Sequence, residues 1–234
     1  PVESYELVLK DPFGLTVLLN DSVYAATNRF FTHFFIKSYF RTAPLVLQNI
    51  SAPLDSLYYS CALFKTIVHF FIIYLFAVLI TNRRKIWNAN ILLVTCLLIP
   101  LFQTYGYYLY MGIMDSSITY SFFYAFSFSL VILFLVPFFN AAFSRTSYNF
   151  SFLKLIMLII LIIINSFSGP LNSPVLLLIC SSTLLYFFIK NFAELTSTPF
   201  FKRVIFSVKN IPVTLTSMFL LTILACLYSY FIGR

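Results

Sequence analysis

Residues 57–80 read LYYSCALFKTIVHFFIIYLFAVLI, and residues 81–85, TNRRK, follow directly. The first stretch is long enough to cross the hydrocarbon core of a bilayer as one α-helix, which needs about 20 mainly apolar residues. The second stretch is a cluster of cations, and such clusters are enriched in the cytoplasmic loops of membrane proteins. The two together predict a membrane-spanning helix whose C-terminal end lies on the cytoplasmic side.

The same kind of apolar run recurs along the chain, and none of the runs alternates with the period of two expected for a strand. Hydrophobic residues make up 61% and charged residues 9% of the sequence, whereas soluble domains carry about 25% charged residues. Lipid requires every backbone group to be paired internally, so long runs of this kind indicate helices rather than a barrel. We therefore predict an all-α polytopic transmembrane helix bundle over residues 57–234. It has about six spans, at about 57–80, 89–110, 117–139, 152–168, 171–190 and 212–232.

The basic residues give the bundle an orientation. Lys and Arg concentrate at 81–85, at 145–154 and at 190–209, which are alternate connections between the predicted spans. Alternate connections lie on one side of the membrane, which we expect to be cytoplasmic, and they account for the net charge of +8 without a nucleic-acid partner. The opposite, outer face then carries Asp55, Asp115 and a polar, Gly/Pro-containing elbow at 165–174.

Residues 1–56 differ from the rest of the chain. Arg29, His33, Lys37 and Arg41 recur every four residues and form a cationic stripe on a helix predicted over about 23–47. Phenylalanines and tyrosines cover the remaining surface of this helix. A cationic stripe with an aromatic face is typical of an amphipathic helix in the membrane interface, here on the outer face. The alternative is a seventh span over 28–47 whose stripe faces the bundle interior.

The cationic stripe can bind a phosphate group, since Arg makes paired hydrogen bonds to phosphate oxygens and Lys supplies a point charge. At headgroup level this suits an anionic lipid carrier, and the alternative is general contact with phospholipid headgroups. Asp11 and Asp21 can act as a general base or help to hold a divalent metal. The alternatives are helix capping by Asp21 and the start of a turn at Asp11-Pro12. Asp115, close to Tyr120, either caps the helix that follows or faces a ligand.

Three segments carry a resemblance to a known family. They are residues 27–33 (TNRFFTH), 111–124 (MGIMDSSITYSFFY) and 167–171 (FSGPL). In these segments the chain resembles bacterial GT-C-like membrane glycosyltransferases, namely the polytopic members related to O-antigen glucosyltransferases.

The resemblance implies an enzyme that takes a sugar from a polyprenyl-phosphate carrier and passes it to an acceptor at the outer face. It also implies a catalytic carboxylate in the first outer loop, for which Asp21 or Asp11 is available. Arg29, Lys37 and Arg41, together with His33, would then hold the carrier phosphate. Asp115 and Tyr120 would line the sugar cavity. No cofactor is implied beyond a divalent metal.

Two other functions stay open at this stage. The elbow at 165–174 also fits a transporter or flippase subunit, whose binding sites often lie at broken helices. The richness in Phe, Tyr and Ile also fits a non-catalytic subunit of a larger membrane complex. The corresponding locations are the bacterial inner membrane or, for the last function, an organellar inner membrane. Because the sequence starts at Pro1 without a methionine, we expect it to be part of a longer protein.

Overall fold

The computed structural model of the chain describes residues 2–20, 24, 26–82, 88–102, 117–144, 147–169, 171–194 and 199–233. Throughout these ranges the regular structure is helical, which confirms the all-α prediction. Asp21, Asp115 and residues 83–87 lie outside the described residues, so the interpretations placed on them stay predictions. The helices are α1 (Val2–Lys10), α2 (Leu15–Asn20), α3 (Phe30–Leu47), α4 (Pro53–Thr81), α5 (Ala89–Leu98), α6 (Ile118–Phe143), α7 (Phe152–Ser166), α8 (Asn172–Glu194), α9 (Phe200–Lys209) and α10 (Val213–Ile232).

Within the described ranges, four helices are long and apolar enough to cross a bilayer: α4, α6, α8 and α10. The protein is therefore an integral membrane protein. Two shorter apolar helices, α5 and α7, lie in the other predicted runs, and α5 continues into a 3₁₀ turn at Ile99–Phe102. The predicted run 89–110 extends past residue 102 into residues outside the described part. Helix α3, with its cationic stripe, is not one of the four.

The connections between the helices gather at two ends of the bundle. At one end, the Asn82 side chain after α4 donates a hydrogen bond of 2.6 Å to the Ser144 hydroxyl after α6. We call this the basic end, because Lys- and Arg-containing segments follow Asn82 and Ser144 in the sequence. At the other end, residues 26–33 meet residues 166–168 and 229–232. We call this the elbow end.

Helix α3 is attached to the bundle by aromatic packing. Phe64 of α4 and Phe122 of α6 stack with their ring centroids 3.6 Å apart, and Tyr39 of α3 packs against both. The Tyr39 hydroxyl also donates a 2.8 Å hydrogen bond to the Ser60 carbonyl. In lipid, helices associate through close packing and hydrogen bonds rather than through exclusion of water, so these contacts hold α3 against α4 and α6.

Helix α3 begins at Phe30, later than the predicted start near residue 23. Ala26 to Asn28 form a turn in which Ala26 has a positive φ of 66°. The Thr27 hydroxyl donates to the Ile232 carbonyl, and the Asn28 amide donates to the Ser229 carbonyl at 3.5 Å. Residues 26–28 therefore lie against the C-terminal end of α10, and α3 begins directly after them. A β-carbon at Gly233 would lie 2.5 Å from the Asn28 Nδ2 atom, so only glycine permits this approach.

Helix α7 is short, and the carbonyls at its C-terminal end accept hydrogen bonds from other parts of the chain. We call this arrangement the sealed end of α7. Its 15 residues span about 22 Å, which is less than the hydrocarbon thickness of about 30 Å. The Ser166 carbonyl accepts hydrogen bonds from the hydroxyls of Ser173 and Ser229. The Phe167 carbonyl accepts one from the Phe31 amide at 3.1 Å, and the Ser168 carbonyl accepts one from the Thr32 hydroxyl. The three carbonyls that end α7 are thus paired within the protein, as lipid demands.

We expect Thr32→Val to destabilise the protein by about 1–3 kcal/mol, because valine keeps the shape but leaves the buried Ser168 carbonyl without its donor. Thr42→Val in the same helix is the matched control. The Thr42 hydroxyl is exposed and bonds the Ser38 carbonyl of its own helix at 3.0 Å. Unfolding in detergent, followed by circular dichroism, measures both variants. Equal stability of the two variants would show that the hydrogen bond from Thr32 to the Ser168 carbonyl does not contribute to the free energy of unfolding.

Candidate functional site

The first turns of α6 contain a π-helical segment at Ser121–Phe126. Such segments are rare and often occur at functional sites, because the wider turn redirects neighbouring side chains. Here Phe122 is buried in the aromatic packing with α4, whereas Phe123 is half-buried and meets the start of α3. The π-helical segment therefore presents Phe123 to the cationic stripe.

Two members of the stripe gather around Phe123. The Arg29 guanidinium carbon lies 5.7 Å from the centre of the Phe123 ring. The His33 ring lies nearly perpendicular to the Phe123 ring, with the centroids 5.2 Å apart. Arg29 is half-buried, and its Nε atom is buried without a hydrogen-bond partner among the described residues. Within the same part of the chain the ion pair found joins Lys10 and Glu6, so no described carboxylate neutralises Arg29.

A groove of about 260 Å³ lies beside these residues, between the elbow-end halves of α6 and α8. Its walls are almost entirely apolar. Phe123 lines this groove and also contacts Arg29 and His33. An apolar groove thus lies next to a cation that has no counter-charge among the described residues. The lining residues are Phe123, Tyr124, Phe128, Val131, Leu171, Asn172 and Val175.

His33 is uncharged at neutral pH. Burial and, to a smaller extent, the positive charge of Arg29 lower the pKa of His33 to about 4. A neutral imidazole still carries one N–H donor, so His33 can donate a hydrogen bond to an anion held by Arg29. Such an anion would offset the charge of Arg29 and raise the pKa of His33.

The other two members of the stripe diverge from this site. Lys37 and Arg41 are exposed, whereas Arg29 and His33 are half-buried against α6. A repeat of four residues advances by about 40° per step on a helix of 3.6 residues per turn, so Arg41 lies about 120° around the axis from Arg29. The structure thus brings together only the first half of the predicted stripe.

The Asp11 carboxylate caps helix α2. It accepts hydrogen bonds from the Leu15 amide at 2.8 Å, the Thr16 amide at 2.9 Å and the Thr16 and Tyr24 hydroxyls. Burial raises the pKa of Asp11, but these hydrogen bonds outweigh burial and hold the pKa below its ordinary value. Burial and Asp11 raise the pKa of Tyr24 to about 12. Asp11 therefore caps α2, and a carboxylate that accepts these four hydrogen bonds is a weak base.

Tyr120 lies at the edge of the groove. It is exposed, and its ring centroid is 5.6 Å from that of Tyr124, which lines the groove. In the sequence, Ser117, the residue before α6, comes two positions after Asp115. The sequence did not single out Phe123 or the groove. Phe123 is one of many aromatic residues, and the sequence does not show which way its side chain points.

Among the described residues, no group of three His, Cys, Asp or Glu side chains is close enough to hold a metal ion. No family model, curated protein or solved structure matches this chain, so the geometry above carries the functional argument.

Proposed function

We propose that the protein binds a lipid with a phosphate headgroup at the elbow end, and that this lipid is the polyprenyl-phosphate carrier of a sugar that the protein transfers. The observation that carries the proposal is the half-buried Arg29, which lacks a described counter-charge and lies over an aromatic wall of an apolar groove. A ligand with an anionic head and a long apolar chain complements both features.

The headgroup would be held by two side chains. The planar guanidinium of Arg29 can donate two parallel hydrogen bonds to phosphate oxygens, and His33 can donate a third from its neutral ring. Because Arg29 is half-buried, its attraction for phosphate is screened less by salt than that of an exposed cation. The isoprenoid chain would lie against Phe123 and the groove, where it gains dispersion contacts with aromatic rings.

The transfer step would use carboxylates near the same end of the bundle. Asp11 is engaged as a cap, so Asp21 is the stronger candidate for the base that takes the proton of the acceptor hydroxyl. The acceptor oxygen would then bond to C1 of the sugar as the bond from C1 to the phosphate oxygen breaks, and polyprenyl phosphate would leave, its charge held by Arg29. Asp115 and Tyr120 would line the sugar-binding side of the groove. The elbow end lies opposite the basic end, which the distribution of Lys and Arg assigns to the cytoplasm. The proposal therefore sets the reaction at the outer face, in a bacterial inner membrane.

The test compares polyprenyl phosphate with polyprenol, the same chain without the phosphate, in proteoliposomes of the full chain. We expect polyprenyl phosphate to compete at least tenfold better for a labelled carrier, since one charged hydrogen bond contributes about 1.5–3 kcal/mol. Equal competition by the two lipids would overturn the phosphate site.

The same proteoliposomes, supplied with a radiolabelled carrier-linked sugar, test the transfer. A glycosylated product supports the enzyme. Carrier that is bound but never consumed indicates a non-catalytic subunit of a membrane complex. Uptake or scrambling of the carrier without a covalent product indicates a transporter.

A further inference from the structure

Helix α9, at the basic end, crosses the end of α8 instead of running beside it. Phe200, Arg203 and Ser207 belong to successive turns of α9, yet all three contact the same turn of α8. The Phe200 and Phe192 ring centroids are 6.0 Å apart, Arg203 Nε donates to the Phe192 carbonyl at 2.5 Å, and the Asn191 amide donates to the Ser207 carbonyl at 3.0 Å. A helix running alongside α8 would meet a different turn with each step.

Arg203 fixes this crossing. Its guanidinium carbon lies 3.8 Å from the centre of the Phe192 ring, in addition to its hydrogen bond to the Phe192 carbonyl. Because α8 is one of the membrane-spanning helices, a helix that crosses its end lies near the plane of the membrane surface.

The outward surface of α9 has an apolar side and a cationic edge. Phe201, Ile205 and Val208 are exposed and share one side of the helix, at the spacing i, i+4, i+7. Phe201 is 81% exposed, so most of its ring lies outside the protein, although its centroid is 5.9 Å from that of the neighbouring Phe200. Lys202 and Lys209, seven positions apart, are exposed along the neighbouring edge.

We propose that α9 lies in the headgroup region at the basic end and binds anionic phospholipid. Phe201, Ile205 and Val208 enter the boundary of the acyl chains, while Lys202 and Lys209 contact the lipid phosphates. An amphipathic helix with aromatic residues on one side and lysines beside them has this chemistry, and a membrane surface is the partner that complements both. This surface is separate from the phosphate site at the elbow end.

The depth of α9 is tested by tryptophan quenching in the full chain, in proteoliposomes containing lipids brominated near the glycerol. Trp87, the one native tryptophan, is replaced by phenylalanine, and Phe201→Trp is compared with Phe206→Trp. Five residues turn a helix by about 140°, so the two introduced tryptophans report different sides of α9. We expect strong quenching in Phe201→Trp and weak quenching in Phe206→Trp. Equal quenching, or the reverse order, overturns the orientation.

The lipid preference is tested with spin-labelled phosphatidylglycerol and phosphatidylcholine. We expect Lys202→Gln and Lys209→Gln each to lower the preference for phosphatidylglycerol about fivefold. Lys10→Gln, which removes an exposed lysine at the other end of the chain, is the control. Each substitution is also combined with Phe201→Trp. Quenching of the introduced tryptophan then shows whether α9 still docks onto the membrane surface. An unchanged preference in the α9 variants, with docking retained, overturns the anionic-lipid site.

Discussion

Replacing Arg29 by glutamine is expected to weaken the binding of polyprenyl phosphate by about tenfold to a hundredfold. Glutamine keeps much of the length of the side chain but removes the positive charge and the planar fork that pairs with phosphate oxygens. A hydrogen bond to a charged group contributes about 1.5–3 kcal/mol, which corresponds to this loss. Competition against a labelled polyprenyl phosphate in proteoliposomes measures the change.

Two comparisons isolate the role of Arg29. Lys190→Gln removes one positive charge at the basic end and should leave binding unchanged. Arg29→Lys keeps the charge without the fork and should bind with intermediate affinity. In a transfer assay, the double variant Arg29→Ala with Arg41→Ala should lose activity. Wild-type binding by Arg29→Gln, or a wild-type rate in the double variant, would contradict the phosphate site.

Replacing Phe122 by alanine is expected to destabilise the protein by about 3–5 kcal/mol, the usual effect of removing a buried phenylalanine. Phe122 is 1% exposed, and its ring joins α6 to α4 through Phe64 and to α3 through Tyr39. Its loss removes the packing that holds three helices together. Unfolding in detergent, monitored by circular dichroism, gives the change in the free energy of unfolding.

The neighbouring residue provides the matched control. Phe123 is half-buried and lines the groove beside Arg29, so Phe123→Ala should weaken lipid binding and have a much smaller effect on stability. Comparing the two variants separates two roles of the π-helical segment: Phe122 packs against the other helices, and Phe123 faces the ligand. A similar loss of stability in both variants would show that Phe123 is a packing residue and would remove one wall of the proposed site.

The spans were predictable because the membrane sets a length. An apolar run long enough to cross lipid has few alternatives to a helix, so the helices α4, α6, α8 and α10 follow their predicted runs closely. The start of α3 was not predictable. It depends on Thr27 and Asn28, which bond carbonyls about two hundred residues away in sequence, and local pattern carries no record of such contacts.

The site was predictable only in part, for geometric reasons. A repeat of every four residues correctly groups Arg29 with His33, but it drifts around the helix, so it cannot hold Lys37 and Arg41 at the same place. The π-helical segment at Ser121–Phe126 sends adjacent phenylalanines to different neighbours, and nothing in their identity reveals which one meets Arg29. A turn at Asp11-Pro12 could be anticipated from these two residues, whereas the capping of α2 by the Asp11 carboxylate could not.

The sealed end of α7 has a consequence for biogenesis. Ser166 is synthesised 63 residues before Ser229, yet Ser229 supplies one of the donors to the Ser166 carbonyl. The Thr27 hydroxyl likewise donates to the Ile232 carbonyl, which is synthesised 205 residues later. Until α10 packs beside α7, the Ser166 carbonyl lacks the donor from Ser229. A polypeptide that stalls before α10 would leave the turn after α7 open to membrane chaperones and proteases, so the arrival of α10 completes the hydrogen bonding of the elbow.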